Sequence, residues 1–286
     1  MSAPAPALVS TDWLAEHLGR PEVVVVDGSM YLPTSGRDPG AEYTAGHIPG
    51  AVFFDLEASS DPASPLPHML PPPAAFTARM GGLGIGDGHQ IVVYDGSGVN
   101  LSAPRVWWMF RVMGHERVAV LDGGLGKWRE EGRPLETGTA TRPRAVFTAR
   151  PVPGAVRDLA AVRAALEQGT EQVVDMRSAG RFAGAEPEPR PGLRGGHMPG
   201  SRNLPFHELV GAGGTLLPAD QLRRRIEAAG VDPSRPVVAT CGSGVSACAL
   251  IFALHLIGHD RVALYDGAWT EWAGRPDTPI ATGEPA

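Results

Sequence analysis

The sequence predicts an α/β protein of two tandem domains, each a mainly parallel sheet flanked by helices. Three observations predict it. The chain has 286 residues, 43% of them hydrophobic, which suits about two domains of ordinary size. It repeats itself in one order at a nearly constant offset. Short apolar runs also alternate with helical stretches, the pattern of a parallel sheet with crossover helices.

Four landmarks carry the repeat. Val25-Val26-Asp27-Gly28-Ser29 matches Val173-Val174-Asp175-Met176-Arg177, and Gly46-His47-Ile48-Pro49-Gly50 matches Gly196-His197-Met198-Pro199-Gly200. The run from Ile91 to Ser97 matches Val237 to Ser243. The stretch from Gly114 to Gly124, with Trp128, matches Gly258 to Gly267, with Trp272. The offsets are 148 for Asp27 and Asp175, 150 for His47 and His197, 146 for Asp95 and Cys241, and 144 for Asp122 and Asp266. Two copies of a domain of roughly 120–130 residues follow. The expected boundaries are an N-terminal domain over 1–137, a linker over 138–153 and a C-terminal domain over 154–286. The linker is rich in Thr, Pro and Arg, with Val146-Phe147 as a brief exception.

Taken in chain order, Leu8 to Leu18 reads as a helix capped by Ser10 or Thr11. Val23 to Val26 is a continuous apolar run, as in a strand buried on both faces. Pro-rich Asp61 to Pro73 reads as a surface loop inside the first copy. Trp107 and Trp108, in a helical run, read as core or domain interface. Pro236 to His259 is 24 residues without an acidic or basic Lys/Arg side chain, long enough to span a bilayer. It opens with a β-type run, Val237 to Thr240, and breaks at Cys241-Gly242-Ser243-Gly244. Only Ser246 to Ile257 then reads as a helix, too short to cross, so a buried strand, loop and helix are expected.

Composition narrows the function classes. Net charge is −6, with no basic block, which argues against a nucleic-acid partner. Two cysteines exclude a disulfide scaffold and a Cys-rich zinc site, and they suit a reducing compartment. Every basic residue but Lys127 is Arg. Met1 to Ser10 has neither a basic n-region nor a long apolar stretch, so no secretory signal is expected there. A cytoplasmic protein without a membrane partner is the expectation. Phosphate loop, dinucleotide fingerprint and metal-ligand spacing are all missing, so neither metal nor cofactor is expected.

The informative segment is Thr240-Cys241-Gly242-Ser243-Gly244-Val245-Ser246-Ala247. A strand ends, a Gly-rich loop turns, and a helix begins. Ligands of open α/β sheets bind beyond the carboxyl ends of the strands. Successive loop amides can converge on one point, and the helix N-terminus adds positive potential. A cysteine at that point is favoured as thiolate, the nucleophilic form. Cys248 lies in the apolar helix and reads as core. Phosphatases of the tyrosine type place Arg six positions after the nucleophilic Cys; here that position is Ala247, which argues against phosphate chemistry.

Several segments together resemble the two-domain rhodanese-type sulfurtransferases. They are Gly46-His47-Ile48-Pro49-Gly50-Ala51, Ser102-Ala103-Pro104-Arg105-Val106-Trp107-Trp108-Met109-Phe110, Gly180-Arg181-Phe182, Glu186-Pro187-Glu188-Pro189-Arg190, Cys241 to Ala247, and Tyr265-Asp266-Gly267-Ala268-Trp269. The resemblance implies a persulfide carried by Cys241 in the C-terminal copy. The N-terminal copy has Asp95 at the matching position. The thiosulfate-using branch of the family typically has Arg-Lys-Gly after the Cys, whereas Gly242-Ser243-Gly244 is similar to the mercaptopyruvate branch. Arg190 and His68, the latter in His68-Met69-Leu70, agree with that branch. There Ser243, His68 and an acid match a proposed proton relay; the acid here is Glu57, one methylene longer than the usual Asp. Ser246 replaces the commoner Thr, and Ala268 a common Ser.

The resemblance further implies a substrate site of Arg181, Arg190, Gly242, Gly244, Val245, Ser246 and Ala247. Arg181 and Arg190 would clamp the carboxylate of a 2-oxo acid. From composition alone they read as surface partners of Glu186 and Glu188. His47 and His197 recur in both copies and therefore read as turn-shaping, and Asp27, Asp175 and Asp266 read as structural by the same logic. The expected activity moves sulfur from 3-mercaptopyruvate through a Cys241 persulfide to a thiol, cyanide or thioredoxin-like acceptor. Two alternatives remain open: thiosulfate:cyanide sulfur transfer on the same scaffold, and a binding protein that carries a persulfide without turnover.

Overall fold

A computed structural model describes residues 6–283. Met1 to Ala5, half of the segment read for a secretory signal, lie outside the described residues. The chain forms two compact units. One comprises residues 1–62, 70–152 and 211–216; the other comprises 63–69, 153–210 and 217–286.

The first unit contains β1 (Leu8–Val9), α1 (Thr11–His17), β2 (Val23–Asp27), α2 (Pro39–Ala45), β3 (Val52–Phe53), α3 (Pro73–Gly82), β4 (Gln90–Tyr94), α4 (Ala103–Val112), β5 (Val118–Leu121) and α5 (Gly124–Glu130). The second contains β6 (Val156–Arg157), α6 (Leu159–Gln168), β7 (Gln172–Asp175), α7 (Ala179–Ala183), β8 (Arg202–Asn203), α8 (Ala219–Ala228), β9 (Val237–Thr240), α9 (Ala247–Leu256), β10 (Val262–Tyr265) and α10 (Ala268–Gly274). The sheets have the orders β1-β5-β4-β2-β3 and β6-β10-β9-β7-β8, one the copy of the other. Every strand pairing is parallel. The expected α/β architecture is therefore present twice.

Local chemistry explains the elements. All five residues of β2 and all four of β7 and β9 are buried, as strands covered on both faces must be. Ser10 accepts the Trp13 N–H and caps α1, and Asp158 accepts the Ala161 N–H and caps α6. The helix expected from Leu8 thus begins only at Thr11. Leu8 and Val9 instead pair with Val120 and Leu121. Helix α9 is buried from Ala247 to Leu254, so it is apolar all round because it is covered all round. Among the described residues no helix is long and apolar enough to cross a membrane.

One loop expectation needs correction. The stretch Asp61 to Pro73 is not simply a surface loop of the first copy: its residues 63–69 pack with the second unit, and His68 there is buried. Within the linker, Phe147 is buried against Phe76 and Phe110, at ring distances of 5.5 and 5.9 Å, while Val146 is 80% exposed. One aromatic anchor, worth about 1.5–3 kcal/mol of burial, ties this otherwise polar segment down.

The duplicated histidines shape turns as expected. His47 Nδ1 meets the Tyr43 carbonyl and His197 Nδ1 the Phe182 carbonyl, at 2.8 and 2.9 Å, and each ring stacks on that same aromatic residue.

Candidate active site

In the second sheet β9 lies between β7 and β10, and β7 and β9 flank the point where the strand order reverses. That is where such sheets place ligands. Three segments leave the same edge: Cys241–Ser246 after β9, Met176–Ser178 after β7, and Asp266–Gly267 after β10.

Cys241 sits directly after β9 and is 2% exposed. Its carbonyl accepts the Trp269 N–H at 2.9 Å. The Gly242 carbonyl accepts the N–H of Thr270 at 3.0 Å and its hydroxyl at 2.7 Å. Among the described residues, no protein oxygen takes the N–H of Gly242, Ser243, Val245, Ser246 or Ala247. Helix α9 also has no side-chain cap. The loop therefore offers uncommitted donors beside the sulfur. Cys248, as expected, is fully buried, and its thiol points to the Gly244 carbonyl at 3.4 Å.

Ser243 and His68 are brought together although they are 175 positions apart in the chain: Ser243 Oγ lies 3.0 Å from His68 Nδ1, and both residues are buried. His68 adopts φ 60°, the left-handed region that non-glycine residues occupy only when their surroundings hold them there. Glu57 lies in an exposed turn and belongs to the first unit.

The arginines are organised by two acids. Arg177 Nη2 donates to Asp175 at 2.7 Å, and Arg177 Nη1 to Glu188 at 2.5 Å. The other oxygen of Glu188 accepts from Arg181 Nη2, also at 2.5 Å. Arg177 additionally lies over the Trp269 ring, 4.2 Å from its centroid. Burial opposes the Arg177 charge, but the Asp175 and Glu188 carboxylates more than offset it and keep the guanidinium protonated. Pairing of Arg181 with Glu188 was the plainer reading of the sequence. It occurs, but inside the protein rather than on its surface: the Glu188 side chain is 2% exposed and that of Arg181 16%. Glu186 is engaged elsewhere, accepting the Ser178 hydroxyl. Arg190 is half-buried in the bend after Pro189.

Arg177 and Glu188 were missed as site residues. A signal existed: the copies diverge from Asp27-Gly28-Ser29 to Asp175-Met176-Arg177. In the first copy, Asp27 accepts hydrogen bonds from the backbone and side chain of Ser29 and from the Tyr94 side chain, where Asp175 holds a guanidinium. Asp175 thus has a task its counterpart lacks.

The first copy shows what the loop looks like without a nucleophile. One oxygen of Asp95 accepts the N–H of Ser97, and the other accepts the N–H groups of Ser102 and Ala103, each at 2.9 Å. Its loop runs from Asp95 to Ser102, two residues longer than Cys241 to Ser246. The carboxylate fills its own cradle and caps α4.

The family model of the rhodanese-like domain matches residues 10–131 and again 158–275. The chain belongs to the rhodanese-like family. One match falls within each of the two copies read from the sequence. This rhodanese-like chain is 45% identical to the 3-mercaptopyruvate sulfurtransferase of Escherichia coli over 95% of its own length and 96% of that protein's. It is 43% identical to the thiosulfate sulfurtransferase of Bos taurus, covering 97% and 96%. Among solved structures it is similar to the 3-mercaptopyruvate sulfotransferase SseA of Escherichia coli, with a TM-score of 0.85 and 42% identity, covering 93% of this chain and 99% of that one.

Proposed function

We propose that this rhodanese-like protein transfers the sulfur of 3-mercaptopyruvate through a persulfide on Cys241. Sulfurtransferase activity follows from its kinship with enzymes of that name over nearly its full length. The choice of donor rests on one observation, the Ser243–His68 hydrogen bond in the loop that begins at Cys241.

The argument is chemical. The Cys241 thiolate attacks the substrate sulfur, and an S–S bond forms. The carbon–sulfur bond breaks, and its electron pair goes to carbon, leaving the enolate of pyruvate. The substrate's thiol proton stays on the outer persulfide sulfur. The enolate then needs a proton at carbon, and a buried hydroxyl–imidazole pair is suited to supply one. Thiosulfate would leave sulfite, which needs no proton to depart. Arg181 and Arg190 hold the substrate carboxylate and carbonyl, and the loop amides of Gly242 to Ala247 stabilise the developing charge. In the second step a thiol, cyanide or thioredoxin-like dithiol attacks the outer sulfur and restores Cys241.

The reaction requires no metal or cofactor, and two cysteines outside any disulfide suit the reducing cytoplasm. Thiosulfate transfer is the second reading, favoured by the bovine relative. Pyruvate release measured beside thiosulfate consumption, on one preparation with cyanide or a thiol as acceptor, tests the proposal. Many pyruvates per enzyme and a higher kcat/KM for mercaptopyruvate are expected. Faster thiosulfate turnover overturns the donor choice, and a single pyruvate per protein overturns turnover itself.

A further inference from the structure

We infer that Thr270 is a positioning residue for the nucleophile loop, aiming the N–H of Ser243 into the substrate site. The inference rests on the reading of Cys241 as nucleophile and extends it to a residue outside that loop.

Thr270 donates twice to one acceptor: its N–H and its hydroxyl both go to the Gly242 carbonyl, at 3.0 and 2.7 Å. All peptide bonds of the described residues are trans. In a trans peptide the carbonyl and the following N–H point to opposite sides of one plane. Fixing the Gly242 carbonyl toward Thr270 therefore turns the Ser243 N–H the other way. That N–H has no protein acceptor among the described residues. The Trp269 N–H does the same to the Cys241 carbonyl, and so to the N–H of Gly242.

Comparison of the copies separates fold from function. The Leu125 N–H donates to the Asp95 carbonyl at 3.0 Å, just as Trp269 donates to Cys241. That bond belongs to the fold. The residue matching Thr270 is Gly126, which has no side chain to donate, and the Gly96 carbonyl accepts from Arg37 instead. The hydroxyl grip on the second loop carbonyl is present only in the copy with the cysteine. It is also the copy whose loop amides are not already satisfied by a carboxylate.

Thr270→Val keeps the shape and removes the hydroxyl; Thr270→Ser restores it. Three quantities should be measured: the pH profile of Cys241 alkylation by iodoacetamide, kcat and KM for mercaptopyruvate with cyanide as acceptor, and the melting temperature. In Thr270→Val the alkylation profile should move to higher pH and kcat should fall about 3–10-fold, as loss of one oriented hydrogen bond implies. Melting should change little, and Thr270→Ser should recover both profile and kcat. An unchanged profile and kcat in Thr270→Val overturns the inference, as does a Ser variant that behaves like Val. Cys241→Ser run alongside separates the two levels. If it still turns over, the nucleophile reading and this inference fall together. If it is dead while Thr270→Val is silent, only this inference falls.

Discussion

The guanidinium of Arg181 rests against Gly242: a Cβ at position 242 would lie 3.0 Å from Arg181 Nη2. The same nitrogen is bonded to Glu188, which Arg177 holds from the other side. The cation cannot retreat freely, so the missing side chain at 242 is what admits it.

Gly242→Ala should therefore act through Arg181. The backbone at 242 is outside the left-handed region, so alanine introduces no strain of its own. The variant should lose roughly 10-fold in kcat/KM for mercaptopyruvate, equivalent to about 1.4 kcal/mol. In an Arg181→Ala background the same substitution should cost almost nothing. A double-mutant cycle reads the coupling; additive losses reject the contact as the cause.

The two cysteines should separate cleanly. Cys241→Ser should abolish turnover, because serine forms no persulfide. Cys248→Ala should keep most activity and lose about 1 kcal/mol of stability through its buried position. Intact mass after loading with mercaptopyruvate should show one added sulfur in the Cys248 variant and none in the Cys241 variant.

Arg190 and Glu188 should fail in different ways. Arg190→Ala should lose about 10–150-fold in kcat/KM for mercaptopyruvate, the loss of a charge-assisted bond of roughly 1.5–3 kcal/mol, with a smaller effect on thiosulfate. Glu188→Ala removes the acid between two arginines in a buried network, so it should cost about 3–5 kcal/mol of stability and depress both donors. Urea midpoints beside kinetics with both donors distinguish them. A uniform kinetic drop in Arg190→Ala rejects the clamp.

Acid should loosen the first unit at His115. Burial among Phe110 and Phe147 holds its pKa below the ordinary histidine value, against hydrogen bonds to the His89 and Arg117 backbone. The unfolded chain takes up this proton first as pH falls. The contribution of His115 is thus fully present above about pH 6.5 and is lost progressively below it. The urea midpoint should fall from pH 7.5 to 5.5, and less steeply in His115→Leu. Equal slopes would remove His115 as the cause.

The double sheet and the strand–loop–helix that carries Cys241 were legible because both are local signals. The run Val237 to Thr240 followed by Cys241-Gly242-Ser243-Gly244 states strand, turn and helix within a dozen residues. The offset of 146 between Asp95 and Cys241 needs only the chain itself. Leu8–Val9 was unreadable as a strand, since two residues display no period. His68 was legible as a residue type and not as a place: nothing in Ala63 to Met69 says that it packs with the second unit. Arg177 and Glu188 escaped because a buried ion network exists only once distant segments meet. In sequence, Glu188 among prolines looks like a solvated charge.

Both carboxylate oxygens of Asp95 are taken up by amides of its own loop, those of Ser97, Ser102 and Ala103, whereas among the described residues the amides of Gly242, Ser243, Val245, Ser246 and Ala247 have no protein acceptor. The first loop is closed by a group that cannot leave; the second is closed only by what arrives. A ligand that binds the folded loop and not the unfolded chain stabilises it. Under the proposed chemistry the half with the cysteine gains that closure from each donor anion it binds and gives it up with each product released, so its stability should follow its supply of donor.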